Sequence, residues 1–253
     1  MSEFDKTSAK MKKRRRRRKR HPLLRLLILA VIIAGAVFFL KSEMFNVTSI
    51  VIEGNRYYTL SQVQTMSGIE IGDNIFFDVR VRDAGSRLLE DPYIKGANVS
   101  RKLPSTIVIS IEERKEFAAV PASGGFILID DEGMVLRTSD TDPKLTLIDG
   151  MEIIESEAGK PLNVKQSYFL NSTLDLIGKI EDIDLFFRRI YFSNAVVRAY
   201  IYDDYYCEGT PENISENLPA IKELIAMHYQ QGIDKGVIKV GTGGYLSFNP
   251  KID

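Results

Sequence analysis

The sequence predicts an α+β protein that is anchored in a membrane by one N-terminal helix. Three observations carry this prediction. Residues 23–40 are an apolar run, residues 45–120 alternate short strands with two helices, and residues 121–250 mix apolar-rich strands with further helices. The chain of 253 residues is therefore expected to comprise a basic tail (1–22), a transmembrane helix and two outer domains.

The apolar run of residues 23–40 is long enough to cross a bilayer. Its 18 residues contain a single charge, Arg25, and span about 27 Å as a helix, close to a hydrocarbon core of about 30 Å. Arg25 lies one turn from the end of the run, where its side chain can reach the headgroups. A cleaved signal peptide is the alternative, but its apolar core is usually shorter and no small-residue cleavage pattern follows the run.

Charge is distributed unevenly on the two sides of this run. Residues 1–22 contain eleven Lys or Arg and two acids, whereas residues 41–253 contain 22 basic and 32 acidic residues. Basic residues beside a membrane span stay in the cytoplasm, so the N-terminus is expected inside and the C-terminus outside. The tail is also expected to attract anionic membrane lipid. Nucleic-acid binding is the alternative, but the basic run has no aromatic residue that could stack on a base.

The composition offers little for catalysis, metal binding or a cofactor. The single cysteine, Cys207, excludes an intramolecular disulfide, and the histidines, His21 and His228, belong to no cluster of zinc-ligand spacing. Cys207 would need a positioned base to act as a nucleophile, and we expect a half-buried structural thiol instead. We therefore expect no enzyme activity, no cofactor, no metal and no small-molecule substrate.

Two further motifs are assigned to turns. The three acids at 130–132 suggest calcium binding or general-acid chemistry, but they are consecutive, so they are expected to point apart at a hairpin tip. The glycines at 241–244 suggest a phosphate loop, but neither the Lys-Ser/Thr pair nor an opening helix follows. A hairpin turn is predicted there.

The first outer block is predicted to run strand, helix, helix, strand, strand. A strand of β-branched residues starts at Val47 and ends at the turn Gly54-Asn55. Thr59 and Gln62 form a capping-box pattern that opens a short helix, which Gly68 closes. The remaining elements are a helix over 81–90 and strands over 93–101 and 106–114.

The residues of this block resemble a POTRA domain of the FtsQ/DivIB cell division proteins. The motifs that carry the resemblance are Ile50-x-Ile52-x-Gly54-Asn55-x-Tyr57, Ser67-Gly68-Ile69-x-x-Gly72-x-Asn74 and the segment from Pro92 to Glu113-Arg114. Most of these residues suit turns, caps and strands. Arg101 and Arg114, as exposed charges on adjacent strands, are the two motif residues that could have a role beyond structure. The simpler interpretation is that they lie on a solvated face or form a cross-strand pair with Glu113.

The second outer block is predicted to begin with strands at 126–129, 134–136 and 144–148. A helix over 165–179 is expected to turn Tyr168, Leu170, Leu174 and Ile177 toward the core. Long strands at 183–192 and 195–207 precede a helix over 213–228, with Asn217 as a helix cap and an apolar stripe of Leu218, Ile221, Leu224 and Ile225. Strands near 232–240 and 245–248 end the block, which resembles the mixed α/β, largely antiparallel β domain of the same family.

The resemblance implies a bitopic scaffold at the division septum. Members of the family bind two small bitopic partners, of the FtsL and DivIC/FtsB types, and help to recruit or regulate septal peptidoglycan synthesis. The alternatives are an anchored cell-wall hydrolase, which would need a pocket with convergent polar groups, and a POTRA-type transport component, which would need repeated modules or a barrel.

A strand at the end of a sheet can accept a partner strand through its unpaired backbone groups. The last predicted strand is the candidate edge, and the resemblance implies that the C-terminal β region makes the partner contact. We expect the contact to involve Tyr245, Leu246 and Phe248, flanked by Lys239 and Tyr229. The alternative is that both aromatic residues of the strand belong to the core.

Overall fold

A computed structural model describes residues 22–181 and 183–251 of the chain. Helix α1, Pro22–Leu40, is the one helix in this part that is long and apolar enough to cross a membrane, with a mean hydropathy of 2.8 and no buried residue. The helix predicted over 23–40 is thereby confirmed, and its length and composition suit a single-pass anchor. The basic tail, apart from Pro22, lies outside the described residues.

A three-stranded sheet and two helices follow α1. Their order in the chain is β1 (Ser49–Glu53), α2 (Leu60–Ser67), α3 (Val81–Leu88), β2 (Ile94–Lys102) and β3 (Thr106–Glu113). The sheet order is β1-β3-β2, with β1 parallel and β2 antiparallel to β3. The predicted order of strands and helices is therefore confirmed.

Local sequence explains how this first unit forms. Thr59 and Gln62 make the predicted reciprocal capping box at the start of α2, and Gly68 ends the helix at φ 66°. In β3 every second side chain is buried, namely Ile107, Ile109 and Ile111. These residues pack with α2 and α3 in one apolar cluster.

A nine-stranded mixed sheet dominates the rest of the chain. Its strands, with the elements between them, are β4 (Ala118–Ala122), β5 (Gly125–Ile129), β6 (Val135–Ser139), β7 (Thr146–Asp149), the separate pair β8 (Ile153–Glu155) and β9 (Asn163–Val164), α4 (Ser167–Glu181), β10 (Arg189–Ser193), β11 (Val196–Tyr202), β12 (Tyr205–Gly209), α5 (Pro211–Glu216), α6 (Leu218–Gln230), β13 (Gly236–Val240) and β14 (Leu246–Pro250). The sheet order is β14-β13-β12-β11-β10-β7-β4-β5-β6. Five neighbouring pairs are antiparallel and three are parallel, which confirms the predicted largely antiparallel sheet.

Four predictions for the second block are wrong in detail. The strand predicted over 183–192 is only the short β10, because residues 183–188 form a turn and a loop. The strand predicted over 195–207 is two strands, β11 and β12, joined by a turn at Asp203 and Asp204. The helix predicted over 213–228 is interrupted at Asn217, which caps α6 without a side-chain hydrogen bond. Tyr168 is 66% exposed rather than turned to the core, because its hydroxyl bonds to the carboxylate of Glu212 at the surface.

The buried apolar residues form two separate clusters. One cluster belongs to the three-stranded sheet with α2 and α3, and the other joins the nine-stranded sheet to α4, α5 and α6. β4 crosses the predicted boundary between residues 120 and 121 and pairs within the nine-stranded sheet. The division into domains at 45–120 and 121–250 stays a prediction.

Candidate partner-binding edge

β14 is one outer strand of the nine-stranded sheet. It pairs with β13 alone, in an antiparallel register that sets Ile238 opposite Phe248 and Val240 opposite Leu246. In the part of the chain that the structure describes, no strand lies on its other side. The predicted last strand is therefore an edge strand, although it starts one residue later and extends to Pro250.

Hydrogen bonding at the hairpin shows which backbone groups this edge offers. The Gly241 N–H points toward β14 and donates to the Tyr245 carbonyl at 2.9 Å. The Gly236 N–H points toward the opposite neighbour of β13 and donates to the backbone carbonyl of Asp204, next to β12, at 2.8 Å. In an antiparallel pair the two directions alternate from residue to residue. Leu246 and Phe248 therefore direct both N–H and C=O away from β13, whereas Pro250 offers only a carbonyl.

The two aromatic residues of the candidate site have different surroundings. Tyr245 is 62% exposed at the turn, whereas Phe248 is half-buried and packs against the apolar cluster under the sheet. A Cβ atom on Gly236 would approach the Phe248 ring to 2.5 Å, so this glycine provides the space for the ring. The interpretation of both residues as core holds for Phe248 and fails for Tyr245.

A buried polar pair lies beneath Phe248. The Tyr205 hydroxyl and His228 Nδ1 are 2.6 Å apart, and the His228 ring centroid lies 4.1 Å from that of Phe248. Burial lowers the pKa of His228 and raises that of Tyr205, because both charged forms would lose hydration. Sequence reasoning placed His228 on a helix but missed its partner, since Tyr205 lies on a different element.

The remaining predicted site residues lie at different ends of the edge. Lys239 is exposed on β13 opposite Ser247, near the Tyr245 end. Tyr229 is 75% exposed on α6 and lines a cavity of about 530 Å³ together with Tyr202 and Asp204. Because Asp204 bonds to Gly236, this cavity is at the Pro250 end, about 17 Å along the strand from Tyr245. The structure thus groups Tyr245, Leu246, Phe248 and Lys239 and sets Tyr229 apart.

Lys251, the residue that follows β14, is held at the cavity end of the sheet. Lys251 forms an ion pair with Asp204 in the turn between β11 and β12. This hydrogen bond lowers the pKa of Asp204 and raises that of Lys251. Sequence reasoning missed the contact because the turn itself was predicted as continuous strand.

The residues that suggested other chemistry have structural partners. Asp130 and Glu132 both contact Arg114, so the expectation that these acids point apart is wrong for these two. Arg101 donates to the carbonyls of Ile75 and Val79, each at 2.6 Å. Among the described residues no group of three or more His, Cys, Asp or Glu could hold a metal ion.

Glu113 and Cys207 also differ from their predicted surroundings. The predicted pair of Glu113 with Arg101 or Arg114 is not formed. The Glu113 carboxylate instead accepts the backbone N–H groups of Arg56, Tyr57 and Tyr58 at 2.6–3.0 Å. Cys207 is fully rather than half buried, and burial raises the pKa of its thiol to about 12. A thiol with this pKa is a poor nucleophile at neutral pH.

Comparison with known proteins gives the geometry a family context. A family model described as "POTRA domain, FtsQ-type" matches residues 45–114. The cell division protein DivIB of Clostridium acetobutylicum is 28% identical over 219 residues, covering 81% of this chain and 83% of that protein. The cell division protein FtsQ of Corynebacterium glutamicum is 34% identical over 90 residues, covering 36% of this chain and 40% of that protein.

A solved extracytoplasmic domain of DivIB from Geobacillus stearothermophilus aligns with 47% of this chain and 97% of its own, at 15% identity and a TM-score of 0.33. A likeness of this strength adds nothing to the description of the fold. The sequence relatives and the family model agree on one assignment. They confirm the resemblance that the motifs indicated: this chain is similar in sequence to the DivIB and FtsQ cell division proteins, and its residues 45–114 match the FtsQ-type POTRA domain.

Proposed function

We propose that this chain is a single-pass scaffold of the division machinery, which binds bitopic partners of the FtsL and DivIC/FtsB types outside the membrane. Such binding would serve to recruit or regulate septal peptidoglycan synthesis. The relatives are named as cell division proteins, which supports a role in division and names no enzyme activity. The free edge of β14 is the observation that carries the binding part of the proposal.

The proposed topology follows from the charge distribution. The tail of residues 1–22 carries a net charge of +9 and the part after residue 40 carries −10. With the tail in the cytoplasm, against anionic lipid, α1 crosses the bilayer and both sheets lie outside. The protein then acts at the division septum, where its two partners also cross the membrane.

The proposed contact is addition of a partner strand to β14. Leu246 and Phe248 lie about 7 Å apart along the strand, and each presents one N–H and one C=O with which a partner backbone can pair. Main-chain hydrogen bonds of this kind supply affinity that does not depend on the side chains of the partner. Tyr245 and Lys239 are exposed beside the edge and can select the side chains of the added strand.

Substitution of the exposed tyrosine tests the proposal. Tyr245→Ala removes a ring that the fold does not bury, so the variant should fold and should pull down less of the FtsL-type and DivIC/FtsB-type partners from solubilised membranes. Phe186→Ala is the matched control, because Phe186 is 56% exposed in the loop before β10. Equal recovery of the partners with Tyr245→Ala and with the unmodified chain would show that this placement is wrong.

Cross-linking tests the same placement without loss of a side chain. A photoreactive phenylalanine analogue at position 245 should form adducts with one of the two partners, and the same analogue at position 186 should not. Adducts at position 186 alone would move the contact away from β14. Adducts at neither position, in cells where both partners are present, would remove the edge from the proposal.

A further inference from the structure

Helix α1 is joined to the first outer unit without a flexible linker. The Asn74 side-chain amide donates to the Leu40 carbonyl at 2.9 Å, which satisfies one of the last carbonyl groups of the helix. Asn74 is only 7% exposed, and its side-chain oxygen accepts the N–H groups of Phe76 and Phe77. The loop that contains Asn74 is therefore fixed to the end of the anchor.

Aromatic packing strengthens this connection. Phe45 contacts Phe39 of α1 on one side and Phe76 on the other, with 5.3 Å between ring centroids in both pairs. The Ile75 N–H also donates to the Phe45 carbonyl at 2.9 Å. We call residues 39–46 and 74–77 together the membrane-proximal block.

Besides Phe39 of α1 itself, two large apolar side chains of this block are exposed. Phe77 is 43% exposed and Met44 is 53% exposed. The Lys41 ammonium lies 5.6 Å from the centre of the Phe77 ring. Since α1 is about 28 Å long, Leu40 lies near one boundary of the hydrocarbon when the helix spans the bilayer, and the block that follows lies at the depth of the headgroups.

We propose that Phe77 and Met44 insert into the lipid headgroup boundary next to the point where α1 leaves the bilayer, so that the first outer unit rests on the membrane through a second contact. An apolar ring beside a lysine suits this boundary, because the ring enters the acyl region while the ammonium stays at the headgroups. Continuity with the membrane-spanning helix favours lipid as the occupant. This inference requires α1 to span a membrane but is independent of the role in division.

The charges of the loop indicate what kind of lipid suffices. Asp73 and Asp78 lie within it, and their carboxylates accept the N–H groups of Glu70 and Asn74. Since these acids offset Lys41, we expect the contact to be apolar and to form on zwitterionic phosphatidylcholine, without anionic lipid.

Tryptophan fluorescence can test the contact, because the chain contains no tryptophan. The full chain with Phe77→Trp, or in a second variant Met44→Trp, is reconstituted in phosphatidylcholine nanodiscs that carry a spin label near the glycerol end of the acyl chain. Leu60→Trp is the control, because Leu60 is 58% exposed at the start of α2, beyond the far end of β1.

We expect the spin label to quench the tryptophan at positions 77 and 44, and we expect a shift of their emission to shorter wavelength relative to position 60. Equal emission and equal quenching at all three positions would overturn the proposal. Protection of position 77 in native membranes but not in nanodiscs of pure lipid would also overturn it, since the surface would then belong to a protein partner.

Discussion

The ring of Phe248 lies 4.1 Å from the imidazole of His228, measured between centroids, with the two planes inclined by 50°. This contact joins the free edge strand β14 to helix α6. It supports the edge from the side of the core and leaves the outward backbone groups of Leu246 and Phe248 available. Because this packing already holds β14 in place, little ordering of β14 is required when a partner strand binds.

Replacement of each of the two aromatic residues of the edge should lower the stability of the fold to a different extent. Phe248→Ala removes a half-buried ring and should lower the free energy of unfolding by about 2 kcal/mol, below the range for fully buried aromatics. Tyr245→Ala should change it by less than about 0.5 kcal/mol, as expected for an exposed side chain. Urea unfolding of the detergent-solubilised chain, followed by circular dichroism, measures both values. A larger loss for Tyr245→Ala than for Phe248→Ala would contradict the described packing.

The lowered pKa of His228 predicts a loss of stability in mild acid. The pKa of histidine in the unfolded state is 6.5. At pH values well above it, His228 is neutral in both the folded and the unfolded state, and its titration does not lower the free energy of unfolding. As the pH falls below 6.5, the unfolded state binds the proton first, so the free energy of unfolding decreases. Unfolding measured between about pH 7.5 and 5.5 should show this slope, and His228→Gln should reduce it. An identical slope in the variant would show that His228 does not titrate differently on folding.

Loss of Arg114 should be costly because its partner is buried. The Asp130 side chain has no exposed surface and the Arg114 side chain is 11% exposed. Arg114→Ala leaves the Asp130 carboxylate with only the N–H groups of Glu132 and Met134, and should lower the free energy of unfolding by about 3 kcal/mol.

Lys165→Ala is the control for this prediction. It breaks an ion pair with Glu152 in which both side chains are 65% exposed, and should cost less than about 1 kcal/mol. Equal losses in the two variants would contradict the assignment of Arg114 to a buried pair. Because Arg114 follows β3 and Asp130 follows β5, this pair also connects the two sheets.

Cys207 should resist modification while the chain is folded. Its side chain is fully buried and its pKa is raised to about 12, so little thiolate is present or accessible at neutral pH. A thiol-specific reagent should label the native protein far more slowly than the urea-unfolded protein. Rapid labelling of the native protein would contradict the burial of β12, on which the Tyr205–His228 pair also depends.

The sequence predicted the first outer unit more closely than the second, for physical reasons. In the first unit, the capping box at Thr59 and the alternation of Ile107, Ile109 and Ile111 are local signals, and the fold keeps them. In the second, β11 and β12 form one apolar run interrupted by Asp203 and Asp204, two acids without a glycine or proline to indicate the turn. Local pattern therefore merged two strands into one.

The candidate edge shows the same limit. The sequence identified β14 as the last strand and indicated its aromatic residues. It could not show that Phe248 packs on His228 while Tyr245 stays exposed, because α6 and β12 bring those contacts from other parts of the chain. The distance between Tyr229 and the Tyr245 end likewise depends on the pairing of β13 and not on spacing in the sequence.

Live-cell localisation can show whether this protein acts at the site of division, as proposed. The full chain, tagged at its N-terminus, should form a band at midcell that appears with constriction. A functional tagged protein that stays evenly distributed over the membrane of dividing cells would contradict the proposal.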